Sequence, residues 1–205
     1  MFTGIVQSQA EVLSKNTENN LSRLVISVGL PLISGLELGA SVAINGVCLT
    51  AVDFGETDNN HAFIAFDVID ETLRVSNLSN LATGSKVNVE RSLKAGDEIG
   101  GHMVSGHIHC QAELVKIQST DTNCALIFSC DSKWMKYVLA KGFIAINGTS
   151  LTVGQVSDNE FSVHLIPETL SRTNLGLLEI GNKVNLELDQ QTITIVTTIE
   201  RMKLT

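Results

Sequence analysis

Ser41-Val-Ala-Ile-Asn-Gly-Val-Cys-Leu-Thr50 decides the reading of this chain, because Phe143-Ile-Ala-Ile-Asn-Gly-Thr-Ser-Leu-Thr152 writes the same pattern again 102 positions later. Each copy sets two short apolar runs around Asn-Gly, whose residues both tolerate positive φ and so favour a tight hairpin. The repetition of Asn-Gly by itself speaks for architecture, not chemistry. Outward from it, the same offset aligns Met1-Phe-Thr-Gly-Ile-Val-Gln-Ser-Gln-Ala-Glu11 with Met103-Val-Ser-Gly-His-Ile-His-Cys-Gln-Ala-Glu113 without a gap. Further on the offset falls to 97, where Glu71-Thr-Leu meets Glu168-Thr-Leu, Asn77-Leu meets Asn174-Leu, and Gly84-Ser-Lys-Val-Asn-Val-Glu90 meets Gly181-Asn-Lys-Val-Asn-Leu-Glu187. Two homologous modules of roughly a hundred residues lie in tandem.

Within the first module, Phe2 to Leu13 reads as a strand in which Gly4 permits close approach of another backbone. Leu21 to Val28 is a second strand, and Leu30 to Leu36 a connector or single helical turn. The third and fourth strands flank Asn45-Gly46. Phe54 to His61 is a turn five residues longer than its counterpart, and Ala62 to Val68 is the fifth strand. Asp70 is expected to cap a helix over Glu71 to Leu81, with Leu73, Leu78 and Leu81 on one side. Lys86 to Arg91 closes the module as an alternating strand. The predicted fold class is all-β: two tandem homologous six-stranded antiparallel β-barrels with short helices and a C-terminal amphipathic segment. The expected units are an N-terminal barrel over 1–101, a C-terminal barrel over 102–191 and an oligomerisation segment over 192–205, where Ile193, Ile195, Val196, Ile199 and Met202 recur at near-helical spacing, although their β-branched content leaves a strand open.

A chain of 205 residues with 43% hydrophobic residues has enough apolar content for two small cores. The net charge of −8, with no run of Lys or Arg, argues against nucleic acid and anionic membrane as partners. An oligonucleotide-binding barrel would also need stacking aromatics, which make up only 4% of this chain. Met1 leads straight into a strand pattern, so no signal peptide is expected, and no apolar run is long enough to span a membrane. Cys48, Cys110, Cys124 and Cys130 form no CxxC pair and read as reduced thiols in a cytoplasm. His107 and His109 share a strand face, but no further ligands recur at supporting spacing, so no metal is expected.

A duplicated barrel offers two similar pockets, and the informative positions are those where the copies disagree. Cys48 faces Ser150, Ile5 faces His107, Gly39 faces Lys141, Asp67 faces His164, Asp70 faces Pro167 and Ser92 faces Asp189. Thr50 and Thr152, Thr72 and Thr169, and Gly4 and Gly106 stay the same. Shared hydroxyls suit recognition of one molecule twice, while titratable groups in one copy only would send the two bound molecules to different chemical fates. A dismutation needs that arrangement. Taken singly, each group has an ordinary reading: Cys48 as a small core residue, Lys141 and Asp189 as solvated surface, His107 as a strand histidine.

Met1-Phe-Thr-Gly-Ile-Val6, Asn45-Gly-Val-Cys-Leu-Thr50, Gly100-Gly-His-Met-Val-Ser-Gly-His-Ile108, Lys141-Gly-Phe-Ile-Ala-Ile-Asn-Gly-Thr-Ser-Leu-Thr-Val153 and His164-Leu-Ile-Pro-Glu-Thr-Leu170 together resemble the riboflavin synthase family, alpha-chain type, over nearly the whole chain. The resemblance implies a cytoplasmic homotrimer that converts two molecules of 6,7-dimethyl-8-ribityllumazine into riboflavin and a ribitylaminopyrimidinedione without metal or organic cofactor. It places the working site between the first barrel of one subunit and the second of its neighbour, and it makes lumazine synthase a candidate protein partner. Carried over by motif, the first pocket is Gly4, Ile5, Val6, Cys48, Leu49, Thr50, Asp67, Val68, Ile69, Asp70, Glu71 and Thr72. The second is Gly106, His107, Ile108, Lys141, Ser150, Leu151, Thr152, His164, Leu165, Ile166, Pro167, Glu168 and Thr169. The catalytic candidates are His107 as base for the donor's ring methyl, Ser150 and Thr152 polarising that lumazine, Cys48 activating or adding to the acceptor ring, and Asp189 holding a proton-transfer partner or water. The alternative is a non-catalytic lumazine- or flavin-binding protein of the optical accessory type, whose members tend to lack the polar residues of one pocket.

Overall fold

The computed structural model describes residues 1–57, 60–120 and 123–202. Among the described residues, twelve strands form two closed antiparallel barrels. In the first, β1 (Ser8–Glu18), β2 (Leu21–Gly29), β3 (Ser41–Ile44), β4 (Val47–Glu56), β5 (His61–Ile69) and β6 (Lys86–Arg91) run around the wall in the order β1-β2-β5-β4-β3-β6. The ring closes where Ser8 to Glu11 pair with Val89 to Lys86. In the second, β7 (Cys110–Ser119), β8 (Cys124–Ser129), β9 (Phe143–Ile146), β10 (Thr149–Val156), β11 (Glu160–Leu165) and β12 (Lys183–Leu188) take the same order. Register shifts recur at matching places, Val12/Ser14 with Leu114/Lys116 and Ala51/Asp53 with Val153/Val156. An extra residue at those points bends and twists the strand, as closure of a six-stranded wall demands. Inward residues fill each barrel, Val12, Ile26, Ile44, Ile64 and Phe66 in one and Leu114, Phe128, Ile146, Phe161 and Val163 in the other.

Several expectations need correction. The first strand begins at Ser8, not Phe2, because Phe2 to Val6 leaves its own barrel: Phe2 and Val104 exchange backbone hydrogen bonds of 2.8 and 3.0 Å. The turn expected over Phe54 to His61 is shorter, since β4 continues to Glu56 and β5 starts at His61; residues 58 and 59 lie outside the described residues. The helix expected over Glu71 to Leu81 is broken into α1 (Asp70–Val75) and a 3-10 turn at Asn77–Asn80, because Ser76 is extended. Asp70 does not cap α1. Ile69 holds the cap position without a side-chain hydrogen bond, and Asp70 and Glu71 place negative charge in the first turn, where the helix dipole favours it. The second barrel repeats the pattern with α3 (Pro167–Arg172) and Asn174–Leu177, and adds α2 (Ser132–Met135). The tail is a helix, α4 (Gln190–Met202), whose Ile193 packs on the second core while Ile195, Ile199 and Met202 are exposed.

The break after α1 has a purpose visible across the pseudo-twofold axis between the barrels. Asn77 enters a buried cluster with Asn45, Asn88, Asn147, Asn174 and Asn185, three from each repeat. Asn77 N–H donates to Asn185 Oδ1 at 2.6 Å, and Asn174 N–H to Asn88 Oδ1 at 2.7 Å. Asn88 Nδ2 reaches the Asn147 carbonyl, and Asn185 Nδ2 the Asn45 carbonyl, each at 2.9 Å. A side-chain amide both donates and accepts, so the six largely satisfy one another and the backbone groups between the barrels. Gly46 and Gly148 meet beside this cluster; a Cβ on either would lie within 2.8 Å of the other's backbone. The two Asn-Gly hairpins are therefore the contact between barrels as well as their turns.

Candidate functional site

The crossing of the two N-terminal segments builds two related junctions. At one, Gly4, held at φ +74°, accepts a 2.8 Å hydrogen bond from Ser150 N–H with its carbonyl. At the other, Gly106, at φ +85°, accepts one of 2.8 Å from Cys48 N–H. Each glycine segment thus belongs to one repeat and lies on the hairpin strand of the other. Both positions exclude a side chain, since a Cβ would stand 2.6 Å from Ser150 Cβ or 2.5 Å from Cys48 Cβ. The residues grouped by repeat in the sequence are regrouped accordingly: Gly4, Ile5 and Val6 go with Ser150, and Gly106, His107 and Ile108 go with Cys48. Ile108 even packs against the core of the first barrel.

Beside the second junction lies a cavity of about 200 Å³ lined by Val47, Cys48, Glu71, Thr72, Val75, Ser76, Gly106, His107 and Ile108. It brings the half-buried Cys48 thiol, the half-buried Thr72 and the exposed His107 together. Leu49 points into the barrel core, so Cys48 and Thr50 share the outer face of β4. Of the remaining residues in that set, Asp67 is bound by Arg23 on the barrel wall at 2.6 Å, Val68 is in the core, Ile69 is exposed, and Glu71 pairs with Arg74.

At the first junction the linker between the barrels covers Ser150. Gly101 packs so closely that a Cβ there would stand 2.2 Å from the Thr3 carbonyl and 2.7 Å from Ser150 Cβ. His102 Nδ1 then lies 2.7 Å from Ser150 Oγ, with its ring stacked on Phe143 at 5.1 Å. Burial pushes the His102 pKa below its ordinary value, with the Asp189 carboxylate opposing, so the ring stays neutral and able to accept a proton. Asp189 itself caps α4, its Oδ2 accepting from Thr192 N–H at 2.8 Å and Thr192 Oγ1 at 2.7 Å. Thr152 is exposed on the face it shares with Ser150, and Leu151 is turned into the core. Lys141 is exposed at φ +67°, where the first repeat has Gly39 at φ +86°. Further along, His164 bonds Asn123 at 3.0 Å, Leu165 is in the core, Ile166 and Pro167 are exposed, and Glu168 pairs with Arg172. Thr169 is half-buried, as Thr72 is.

His102 lies in the quoted motif Gly100–Ile108 but one residue before the repeat alignment begins, so no partner position singled it out; its contact with Ser150 gives it a role. Glu90 and Glu187 were quoted as parts of a repeat, yet they are buried carboxylates that anchor the two glycine segments. Among the described residues no three His, Cys, Asp or Glu side chains come together as a metal site requires. No helix among them is long and apolar enough to cross a membrane.

Residues 3–92 and 105–189 match the family model of the lumazine binding domain. The crossed barrels are thus a tandem pair of such domains, each presenting a hairpin strand to the other's glycine segment. The riboflavin synthase of Escherichia coli (strain K12) is 50% identical over 203 residues, which span 98% of this chain and 93% of that one. That of Chlamydia pneumoniae is 41% identical over 98% of this chain and 96% of its own. Among solved structures, LumP complexed with riboflavin superposes with a TM-score of 0.81 at 27% identity, over 93% of this chain and 100% of that one. The chain belongs to the riboflavin synthase family.

Proposed function

We propose that the chain is a transferase that dismutates 6,7-dimethyl-8-ribityllumazine: one molecule gives a four-carbon unit to another, yielding riboflavin and 5-amino-6-(D-ribitylamino)uracil. The observation that carries this reading is chemical difference at two equivalent junctions. One backbone geometry, a glycine carbonyl on a hairpin N–H, presents Cys48 and His107 at one place and Ser150 with His102 at the other. Like backbones suit like ligands, and unlike side chains give those ligands unlike roles.

In this reading the thiol of Cys48 adds to, or activates, the acceptor ring. Neutral His102, hydrogen-bonded to Ser150, is the candidate base for the donor's acidic ring methyl in place of His107, which lies with Cys48 at the acceptor junction. Ser150 and Thr152 polarise that ring, and Asp189 keeps its carboxylate close to His102 while holding the start of α4. The Cys48 cavity is smaller than the roughly 300–1,000 Å³ that encloses a drug-sized ligand. A second copy completing the wall fits that size, with α4 and its exposed Ile195, Ile199 and Met202 as the assembling element of a homotrimer. Stacking two pre-oriented lumazines in one dry cleft supplies much of the rate.

The test is to mix purified, dialysed protein with 6,7-dimethyl-8-ribityllumazine alone, in the presence of chelator, and to follow products by chromatography. One riboflavin per two lumazines consumed supports the dismutase. Binding with altered fluorescence and no riboflavin would overturn it in favour of an accessory binding protein.

A further inference from the structure

Glu90 and Glu187 occupy equivalent places near the ends of β6 and β12, and each is almost wholly buried. Glu90 Oε1 accepts from Thr3 N–H at 2.6 Å and Thr3 Oγ1 at 2.8 Å, while its Oε2 accepts from Gly4 N–H at 3.1 Å. Glu187 repeats the pattern with Ser105 N–H at 2.6 Å, Ser105 Oγ at 2.7 Å and Gly106 N–H at 2.9 Å. Both oxygens of each carboxylate face N–H donors. A glutamine could satisfy one side only, because its amide nitrogen would confront a backbone N–H on the other. Burying a carboxylate is costly, and desolvation does push both pKa values upward. Three hydrogen bonds apiece offset part of that cost, and they fix a peptide that leaves its own barrel.

The direction of that peptide gives the inference. Glu90 stands in the first barrel, but the Gly4 carbonyl it fixes receives Ser150 N–H of the second. Glu187 stands in the second barrel, but the Gly106 carbonyl it fixes receives Cys48 N–H of the first. We infer that Glu90 and Glu187 are positioning residues acting crosswise, each holding in register the reactive strand of the barrel it does not belong to. The inference rests on reading these two junctions as the lumazine sites, and it predicts which distant pairs are coupled.

The test uses the full chain with Glu90→Gln and Glu187→Gln, and a local probe at each junction: the alkylation rate of Cys48, mapped by peptide mass, and the NMR titration of His102, which bonds Ser150. Glu187→Gln should change the Cys48 rate several-fold and leave the His102 titration in place; Glu90→Gln should do the reverse. In lumazine turnover, each should lower kcat/KM by about ten- to a hundredfold, the scale of losing a charge-assisted hydrogen bond. Probes that respond to the glutamate of the same barrel, or equally to both, overturn the inference. Should either Gln variant fail to fold, Thr3→Val and Ser105→Ala remove only the hydroxyl donors and should give the same crossed pattern at smaller amplitude. Both local probes work without turnover, so a wild-type chain that makes no riboflavin would count against the proposed function alone.

Discussion

Alanine at Gly106 tests the crossed architecture where it is tightest. The added methyl would lie 2.5 Å from Cys48 Cβ and 2.9 Å from Cys48 N, where ordinary contact begins at 3.4 Å, so the two segments must part by almost 1 Å. That movement stretches the 2.8 Å bond from Cys48 N–H to the Gly106 carbonyl. Left-handed φ costs a non-glycine residue about 1–2 kcal/mol, overpacking about 1–3 kcal/mol, and a weakened buried hydrogen bond about 0.5–1.5 kcal/mol. Because relief of one strain relieves part of the others, the total should fall at about 3–5 kcal/mol. Gly181→Ala is the control: its φ is +91°, but a Cβ there meets nothing within 4 Å, so only the conformational cost of about 1–2 kcal/mol applies. Denaturant midpoints followed by the single Trp134, with lumazine binding measured on the folded protein, give both quantities. Equal costs for the two variants, or normal binding by Gly106→Ala, would refute the close packing of Gly106 on Cys48.

Lys141→Gly should stabilise the fold by about 0.5 kcal/mol, since glycine adopts the left-handed backbone freely and loses only chain entropy; lumazine affinity should nonetheless fall, and unchanged affinity would remove Lys141 from the site. Asn185→Ala strips partners from Asn77 N–H, Asn77 Oδ1 and the Asn45 carbonyl, and should cost about 3–5 kcal/mol. Calorimetry should then resolve two transitions where the wild type has one, whereas Asn182→Ala, whose bond to Glu179 is exposed, should cost under about 1 kcal/mol. Burial holds His102 and His109 below the ordinary value of 6.5, so their stabilising contribution is complete above that pH and is lost as pH falls below it toward their folded values. Denaturation midpoints should decline with acid at up to about 1.4 kcal/mol per pH unit for each ring, and His109→Gln should roughly halve the slope. Raised Glu90 and Glu187 run the opposite way: their contribution is present below 4.5 and is lost as pH rises through their folded values.

The barrels were legible because a period-two pattern and a tight turn are local properties, and duplication wrote them twice. Asn45-Gly46 and Asn147-Gly148 fell where expected, and the closing strands Lys86–Arg91 and Lys183–Leu188 matched closely. What escaped was everything decided between the repeats. Asn77 and Asn174 align as a conspicuous pair, but nothing in their spacing says that each seeks the opposite barrel's Asn185 or Asn88. The continuous helix expected through Leu81 failed for the same reason, since Ser76 leaves helical geometry to deliver Asn77 to that cluster. Asp189 looked like a group for chemistry. Its cap on α4 is equally a local signal, Asp-x-x-Thr, at a position whose counterpart is Ser92.

The same crossing explains how one duplicated frame yields two unlike sites. Were each glycine segment to stay on its own barrel, every site would be built from one repeat and could diverge only by its own substitutions. Exchange makes each site a composite, so the chain between repeats also contributes. Gly100, Gly101 and His102 lie against the Gly4–Ser150 junction, where Gly101 has no room for a Cβ and His102 delivers its ring to Ser150. The Gly106–Cys48 junction is packed instead by the Phe2 ring and opens onto a cavity. The difference between the two sites is therefore set by chain connectivity as much as by Cys48 and Ser150 themselves. Replacing Cys48 by serine would not convert one site into the other, and the pair Cys48→Ser with Ser150→Cys should fail to restore turnover. Recovery of wild-type kcat by that exchange would mean that the linker contributes nothing to the distinction.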